Sequence, residues 1–291
     1  MNQKFERFVG IDWSGKKGRS QSGIQIAEFA LEAPHPKIVR PRFGVNWSRS
    51  AAVEYVRSLT DRPTLIGIDF AFSVPLPIPA PLVGDVRQLW ALVESLCQDE
   101  ENFYAGPIWL SPNSPFRSLF RYQNFKGADF DGKRLRETER RANPCATSIY
   151  KLMYSQVGRG SFAGMRVLNH LSPVINNGIA VWPFDNLRSK QIVVMEVYPS
   201  AFYSMADCRR PDPKKQTSAA VADVIRQVLR RFGVTSEEDI PKTQDGIDAY
   251  VTSAALAHLS KEQSNFIVPP YFREVASQEG WIFGVPFGDV P

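Results

Sequence analysis

Cysteine and histidine are scarce in this chain, with three of each among 291 residues. Cys97, Cys145 and Cys208 are far apart, odd in number and form no Cys-x-x-Cys pair. This argues against a disulfide framework and leaves no ligand set for a structural zinc ion. A catalytic Cys/His pair has no local support either. Long uncharged apolar runs are missing and mean hydropathy is −0.24, so no transmembrane helix is expected. The opening residues MNQKFERFVG pass almost at once into a strand-like run, with no apolar leader segment. A cytoplasmic protein is the expectation. Low-complexity stretches and internal repeats are absent as well, which argues against linkers and repeat arrays.

What is present is ordinary globular composition: 43% hydrophobic, 12% aromatic and 22% charged residues. The length fits one large domain or two small ones. A net charge of +5 gives a mild bias toward polyanions. Basic residues cluster in KRLRETERR (133–141), RRPDPKK (209–215) and RQVLRR (226–231). Acids are interleaved in the first cluster, so a solvated helix face competes there with nucleic-acid contact.

Patterning predicts a strand at RFVGID (7–12), a hairpin partner at GIQIAEF (23–29) and a third strand near KIVRPRF (37–43). A helix follows at SRSAAVEYVRSL (48–59), with Ser48 as cap and Ala52, Val53, Val56 and Leu59 on one face. TLIGIDFAF (64–72) is a second buried-type strand, and QIVVMEVYPS (191–200) a third. Helices are predicted at 217–232, stopped by Gly233, and at QDGIDAYVTSAALAHL (244–259). EGWIFGVP near the end reads as a short edge strand. PLPIPAPL, with four prolines in eight residues, cannot be a helix or a central strand. The expected organisation is a single α/β domain spanning 1–291. Its core is 5–73 and 190–291, a mixed sheet flanked by helices, and 74–189 is a large helical and loop-rich insertion.

Gly-Ile-Asp occurs three times, at 10–12, 67–69 and 246–248, in two strands and one helix. An aspartate at the end of a buried strand is costly unless its charge is paired or bound to a cation. Asp12 and Asp69 hold such positions, and ligands gather where the strands of an open sheet end. Asp245 and Asp248 lie three apart on one helix and share a face. Glu196, on the last strand, is a fifth acid. Such a set suits a hard divalent ion, Mg²⁺ or Mn²⁺, and two-metal phosphodiester hydrolysis. Each acid also has a plainer explanation. Asp12 can form an Asx-turn, Asp69 and Glu196 can pair with arginines, and Asp245 can favour the positive end of its helix.

Two further stretches carry donors. QVGRGSFAGM (156–165) can line an anion site with its backbone amides, Arg159, Ser161 and nearby Lys151, or can be a turn leading into a helix. PFRSLFR (115–121) sets Arg117 and Arg121 beside aromatics, which suits a phosphate or base platform as well as simple packing.

The order of strand acid, hairpin, helix, strand acid, insertion, strand and a final Asp-x-x-Asp helix resembles the ribonuclease H-like fold, in particular its Holliday-junction resolvases. Over roughly 6–287 the chain resembles the DUF429 family of predicted ribonuclease H-like nucleases. SIYKLMYSQVGRGSFAGMRVL (148–168), VWPFD and EVYPS contribute to that likeness. The resemblance implies a metal-dependent nuclease or phosphoester hydrolase acting on nucleic acid or a nucleotide, with Asp12, Asp69, Asp245 and Asp248 holding the metal. The insertion has no resolvase counterpart, and resolvases commonly carry Glu where this chain has Asp69. Two alternatives stay open. Asp12-Trp13-Ser14-Gly15 is similar to the first phosphate loop of actin-like and sugar-kinase phosphotransferases, which brings in Ser14. A non-catalytic pocket that binds a ligand or a protein is the other.

Overall fold

The computed structural model describes residues 4–77, 84–120, 134–151, 157–171, 178–235 and 240–288. Strands β1 (Arg7–Asp12), β2 (Gln25–Ala30) and β3 (Lys37–Val39) form an antiparallel meander, and α1 (Arg49–Ser58) leads to β4 (Thr64–Asp69). Helices α2 (Val86–Cys97), α3 (Pro107–Leu110), α4 (Glu137–Arg141) and α5 (Val157–Leu171) follow. The chain then forms β5 (Ile179–Val181), β6 (Ile192–Glu196), α6 (Pro199–Met205), α7 (Ser218–Arg231), α8 (Gln244–Leu259) and α9 (Arg273–Glu279). The sheet has six strands in the order β3-β2-β1-β4-β6-β5, with β1, β4, β6 and β5 mutually parallel. The class is therefore α/β, a mixed sheet flanked by helices.

Local chemistry sets the helix starts. Ser48 Oγ accepts from the Ala51 amide, and the Thr217 and Thr243 hydroxyls cap α7 and α8 in the same way. Residues alternate between the two faces of each strand. Val9 and Ile11 of β1 pack with α1, α2 and α5, whereas Phe8 packs with α6, α7 and α8. Helix α8 is buried from Gly246 through Ala257. A helix apolar all round belongs inside a layer rather than on a surface, and its small residues let it lie directly on β1 and β2.

The glycines of the two strand copies of Gly-Ile-Asp serve that approach. Gly10 and Gly67 are partners in register across β1 and β4. A Cβ on Gly10 would run into Thr252 and the Ala249 carbonyl, and one on Gly67 into Val197, Leu256 and Thr252. Ile11 and Ile68 point to the opposite face, so Asp12 and Asp69 return to the α8 face two residues after their glycines. The third copy has no such role, because Gly246 sits in the first turn of α8 beside Thr243 and Pro241.

Three expectations differ from the structure. Residues 179–181, inside the segment read as an insertion, add an edge strand to the sheet. The stretch 281–288 is not a strand. The Phe283 amide donates to the carbonyl of Glu196 at the end of β6 at 2.9 Å, while the Trp281 indole turns inward to the Val285 carbonyl. The glycine-bearing run is the body of α5 from Val157 onward, and Gly164 serves close packing rather than a turn. A Cβ on Gly164 would overlap the Phe70 ring.

Candidate functional site

Asp12 and Asp69 end β1 and β4 as direct register partners and project from the same face of the sheet. Adjacent strands lie about 4.8 Å apart, so the two carboxylates emerge side by side. They line a cleft of about 450 Å³ together with Ser14, Lys16, Arg210 and Asp245. Asp245 enters from the first turn of α8, next to Gly23 and Ser14. The loop between Asp12 and Lys16 is held rigidly from behind by Arg49. That guanidinium is fully buried and donates to the carbonyls of Ser14 (2.9 Å), Lys16 (2.6 Å) and Asn102 (2.8 Å). Its partners are carbonyls alone, so burial pulls its pKa down to about 10.

Among the described residues no hydrogen bond or ion pair reaches the carboxylates of Asp12, Asp69 or Asp245. Burial, followed by repulsion from Asp69, Asp248 and Asp245, holds the Asp12 carboxyl well above the ordinary range. Burial and Asp248 push Asp69 up to about 7, with Arg210 opposing. Asp245 is raised by burial and by Asp248, and lowered by Arg210, Lys16 and Lys214. Three acids without a partner among the described residues, each raised by burial and by neighbouring carboxylates, favour either protons or a cation.

Asp248 and Glu196 behave differently from expectation. Asp248 is completely buried and saturated. Its Oδ1 accepts from Tyr203 Oη (3.0 Å), Gln244 Nε2 (2.9 Å) and Arg210 Nε (3.2 Å), while Arg210 Nη2 closes on Oδ2. Burial and the Asp248 charge keep the Tyr203 hydroxyl protonated, as the donor role requires. Glu196 borders the cleft but springs from the other face of the sheet. It pairs in register with Ile68, one residue short of Asp69, and alternation turns it away from the α8 side. There it receives both terminal nitrogens of Arg136 and the Phe72 amide at 2.9 Å. Arg136 is itself buried and bonds Glu139 Oε1 at 2.9 Å. The predicted convergence of five acids on one metal thus reduces to Asp12, Asp69 and Asp245, with Asp248 behind them and Glu196 committed to Arg136.

The donors predicted from sequence separate in the same way. Ser14 lines the cleft. Ser161 is buried, donates to the Val157 carbonyl and accepts the Ala71 amide at 3.0 Å, so it fixes the turn after Asp69. Arg159 packs over the Trp109 ring, 5.8 Å from its centre. Arg117 is exposed in a short helical turn away from the cleft, and Lys151 is not part of the cleft wall. Arg121 and Lys133 lie outside the described residues.

Sequence reasoning missed Arg49, Arg136, Tyr203 and Arg210. A signal existed for Gln244, four residues before Asp248 on one helix face, and for Arg136, three before Glu139. None existed for Arg210, which reads as one more member of a surface basic run.

The donor set decides how a divalent ion could sit here. Among the described residues no three Asp, Glu, His or Cys side chains are close enough to cage an ion by themselves. Mg²⁺ commonly takes one or two carboxylates and completes its shell with water and substrate oxygens. The Asp12–Asp69 pair, unpaired and all-oxygen, fits that mode. No family model matches the chain, and no curated protein or solved structure is significantly similar to it.

Proposed function

We propose that this chain is a ribonuclease H-like, divalent-cation-dependent nuclease or phosphoester hydrolase acting on nucleic acid or a nucleotide. The observation that carries the reading is the register pairing of Asp12 with Asp69, two carboxylates without donors among the described residues, at the ends of parallel strands. The order β3-β2-β1-β4-β6, with a leading antiparallel meander and α8 across β1, supports the ribonuclease H-like reading that the order of acids along the chain suggested. Asp12 and Asp69 would hold Mg²⁺ or Mn²⁺, with Asp245 facing them. A bound ion supplies charge neutralisation at phosphorus and a water of lowered pKa.

The chain's own residues do the rest. Lys16 and Arg210 place positive charge at the cleft, where they can receive phosphate oxygens. Ser14 offers a hydroxyl beside Asp245. Trp13 and Phe70, with ring centres 5.5 Å apart and planes tilted by 49°, supply apolar wall beside the acids. The single sheet among the described residues favours this reading over a two-lobed phosphotransferase.

One observation favours a second reading, a non-catalytic ligand pocket. Two of the five acids are already neutralised by arginines. The deciding experiment incubates the purified protein with labelled single- and double-stranded DNA and RNA, with Mg²⁺, with Mn²⁺ and with chelator. Metal-dependent cleavage that disappears in Asp12→Asn and Asp69→Asn supports the hydrolase. Cleavage unchanged in both variants would remove these acids from the mechanism, and no heat of Mg²⁺ or Mn²⁺ binding by calorimetry would favour the pocket.

A further inference from the structure

A second groove, of about 700 Å³, runs beside the carboxylate cleft and is not accounted for by the chemistry above. Its floor is the end of the sheet. Gln25 at the start of β2 is the register partner of Asp12, and Ile26 pairs with Val39 at the end of β3. Arg40 therefore leaves the sheet at the same end as Asp12 and Asp69, two strands further along. At about 4.8 Å per strand, Asp69, Asp12, Gln25 and the start of the Arg40 loop form a row about 15 Å long. On the far wall, Thr243 and Gly246 of the α8 N-terminus flank Asp245, so both depressions share one boundary.

Among the described residues the charge of the groove is one-sided. Lys37, Arg40 and Lys242 line it, and no described aspartate or glutamate does. All three are exposed, and none forms an ion pair among the described residues. Three cations with no acid partner among the described residues, held in one concave strip, are a poor structural arrangement and a good one for phosphates. The exposed Phe43, with Arg42 at 5.3 Å from its ring centre, stands on the loop that forms this wall. The Val45 side chain beside it is also exposed and lines the groove. Basic track and exposed aromatic together are what single-stranded polynucleotides use, phosphates along the cations and a base on the ring.

We infer that this groove binds the sugar–phosphate backbone of a single-stranded segment of DNA or RNA leading into the carboxylate cleft. The inference rests on the nucleic-acid reading of the cleft and deepens it, because it assigns the strand state of the substrate and its path.

The test is fluorescence anisotropy of labelled oligodeoxythymidine, oligouridine and a blunt mixed-sequence DNA duplex, in chelator so that cleavage cannot intervene. The full chain is compared with Lys37→Glu/Arg40→Glu/Lys242→Glu and with Phe43→Ala. Single strands should bind more tightly than the duplex. The triple variant should bind at least about tenfold more weakly, and its log–log salt slope should fall by about 2, at about 0.7 for each phosphate left without its cation. Phe43→Ala should weaken binding with the salt slope unchanged. The two single-stranded probes distinguish DNA from RNA as the preferred strand. All four side chains are exposed, and an unchanged melting temperature checks the fold. Equal affinity of the triple variant and the wild type, tighter binding of the duplex, or no binding of either strand at low salt would overturn the groove. Cleavage without groove dependence would spare the hydrolase reading, and groove-dependent binding without cleavage would spare the groove.

Discussion

Asp12 and Asp69 are register partners on adjacent parallel strands, and neither carboxylate has a donor among the described residues. The unfolded chain releases the Asp69 proton near its ordinary value of 3.8, whereas the folded chain keeps it to about 7. Over that window the folded chain keeps the Asp69 proton that the unfolded chain has lost, so the contribution of Asp69 to stability should fall as pH rises and level off above about 7. Added Mg²⁺ should raise the melting temperature more above pH 7 than near pH 5, because protons and cation compete for the same oxygens. Melting curves with and without Mg²⁺ across this range check both statements. Asp69→Asn should flatten the pH trend, raise stability without metal by about 1 kcal/mol or more, and abolish the Mg²⁺ effect.

Arg210→Ala removes the charge partner of Asp248, which is fully buried. Breaking a buried pair costs about 3–5 kcal/mol, and because the Arg210 side chain is 42% exposed, a loss at or below the lower end is expected. Urea denaturation at neutral pH measures it. Mg²⁺ should recover more stability in this variant than in the wild type, since Asp248 is then released toward Asp12 and Asp69. Arg210→Lys should restore only part, as a single ammonium cannot reproduce the two-nitrogen contact.

Glu196→Gln tests whether that acid belongs to the metal site. Its carboxylate is occupied by Arg136 and the Phe72 amide. The variant should cost about 1–3 kcal/mol of stability and leave Mg²⁺ affinity within about a factor of two, while Asp12→Asn lowers it at least about tenfold. Calorimetric titration of both variants separates the two roles.

The packing of the Asp12 loop on α5 gives a steric prediction. A Cβ on Gly15 would fall on the α5 backbone at Arg159 and Gly160, so Gly15→Ala should destabilise by about 1–3 kcal/mol. On Gly160 the nearest atoms are 3.8 Å away, and Gly160→Ala should be neutral or stabilising by up to about 1 kcal/mol through helix propensity. The melting temperature should therefore fall for Gly15→Ala and hold or rise for Gly160→Ala.

Much of this protein is determined by short-range pattern. The apolar runs ending at Asp12 and Asp69 form strands because buried β positions want such residues. The sixteen residues of α8 begin at a threonine cap and carry an alanine-rich, largely apolar run that favours a buried helix. The spacing Gly-x-Asp places each strand acid on the same face as the glycine that admits α8, and that follows from a period of two. What the pattern could not settle is pairing between distant elements. Whether Glu196 joins Asp69 depends on the register of β6 against β4, and a shift of one residue decides the face. Whether Asp248 is a ligand or an ion-pair member depends on where Arg210 comes to rest, thirty-eight positions away in sequence. Periodicity fixes which side chains of one element look the same way. Only packing decides which long, flexible cation from elsewhere reaches a buried carboxylate first, because that choice balances desolvation against interactions that exist only once the layers have closed.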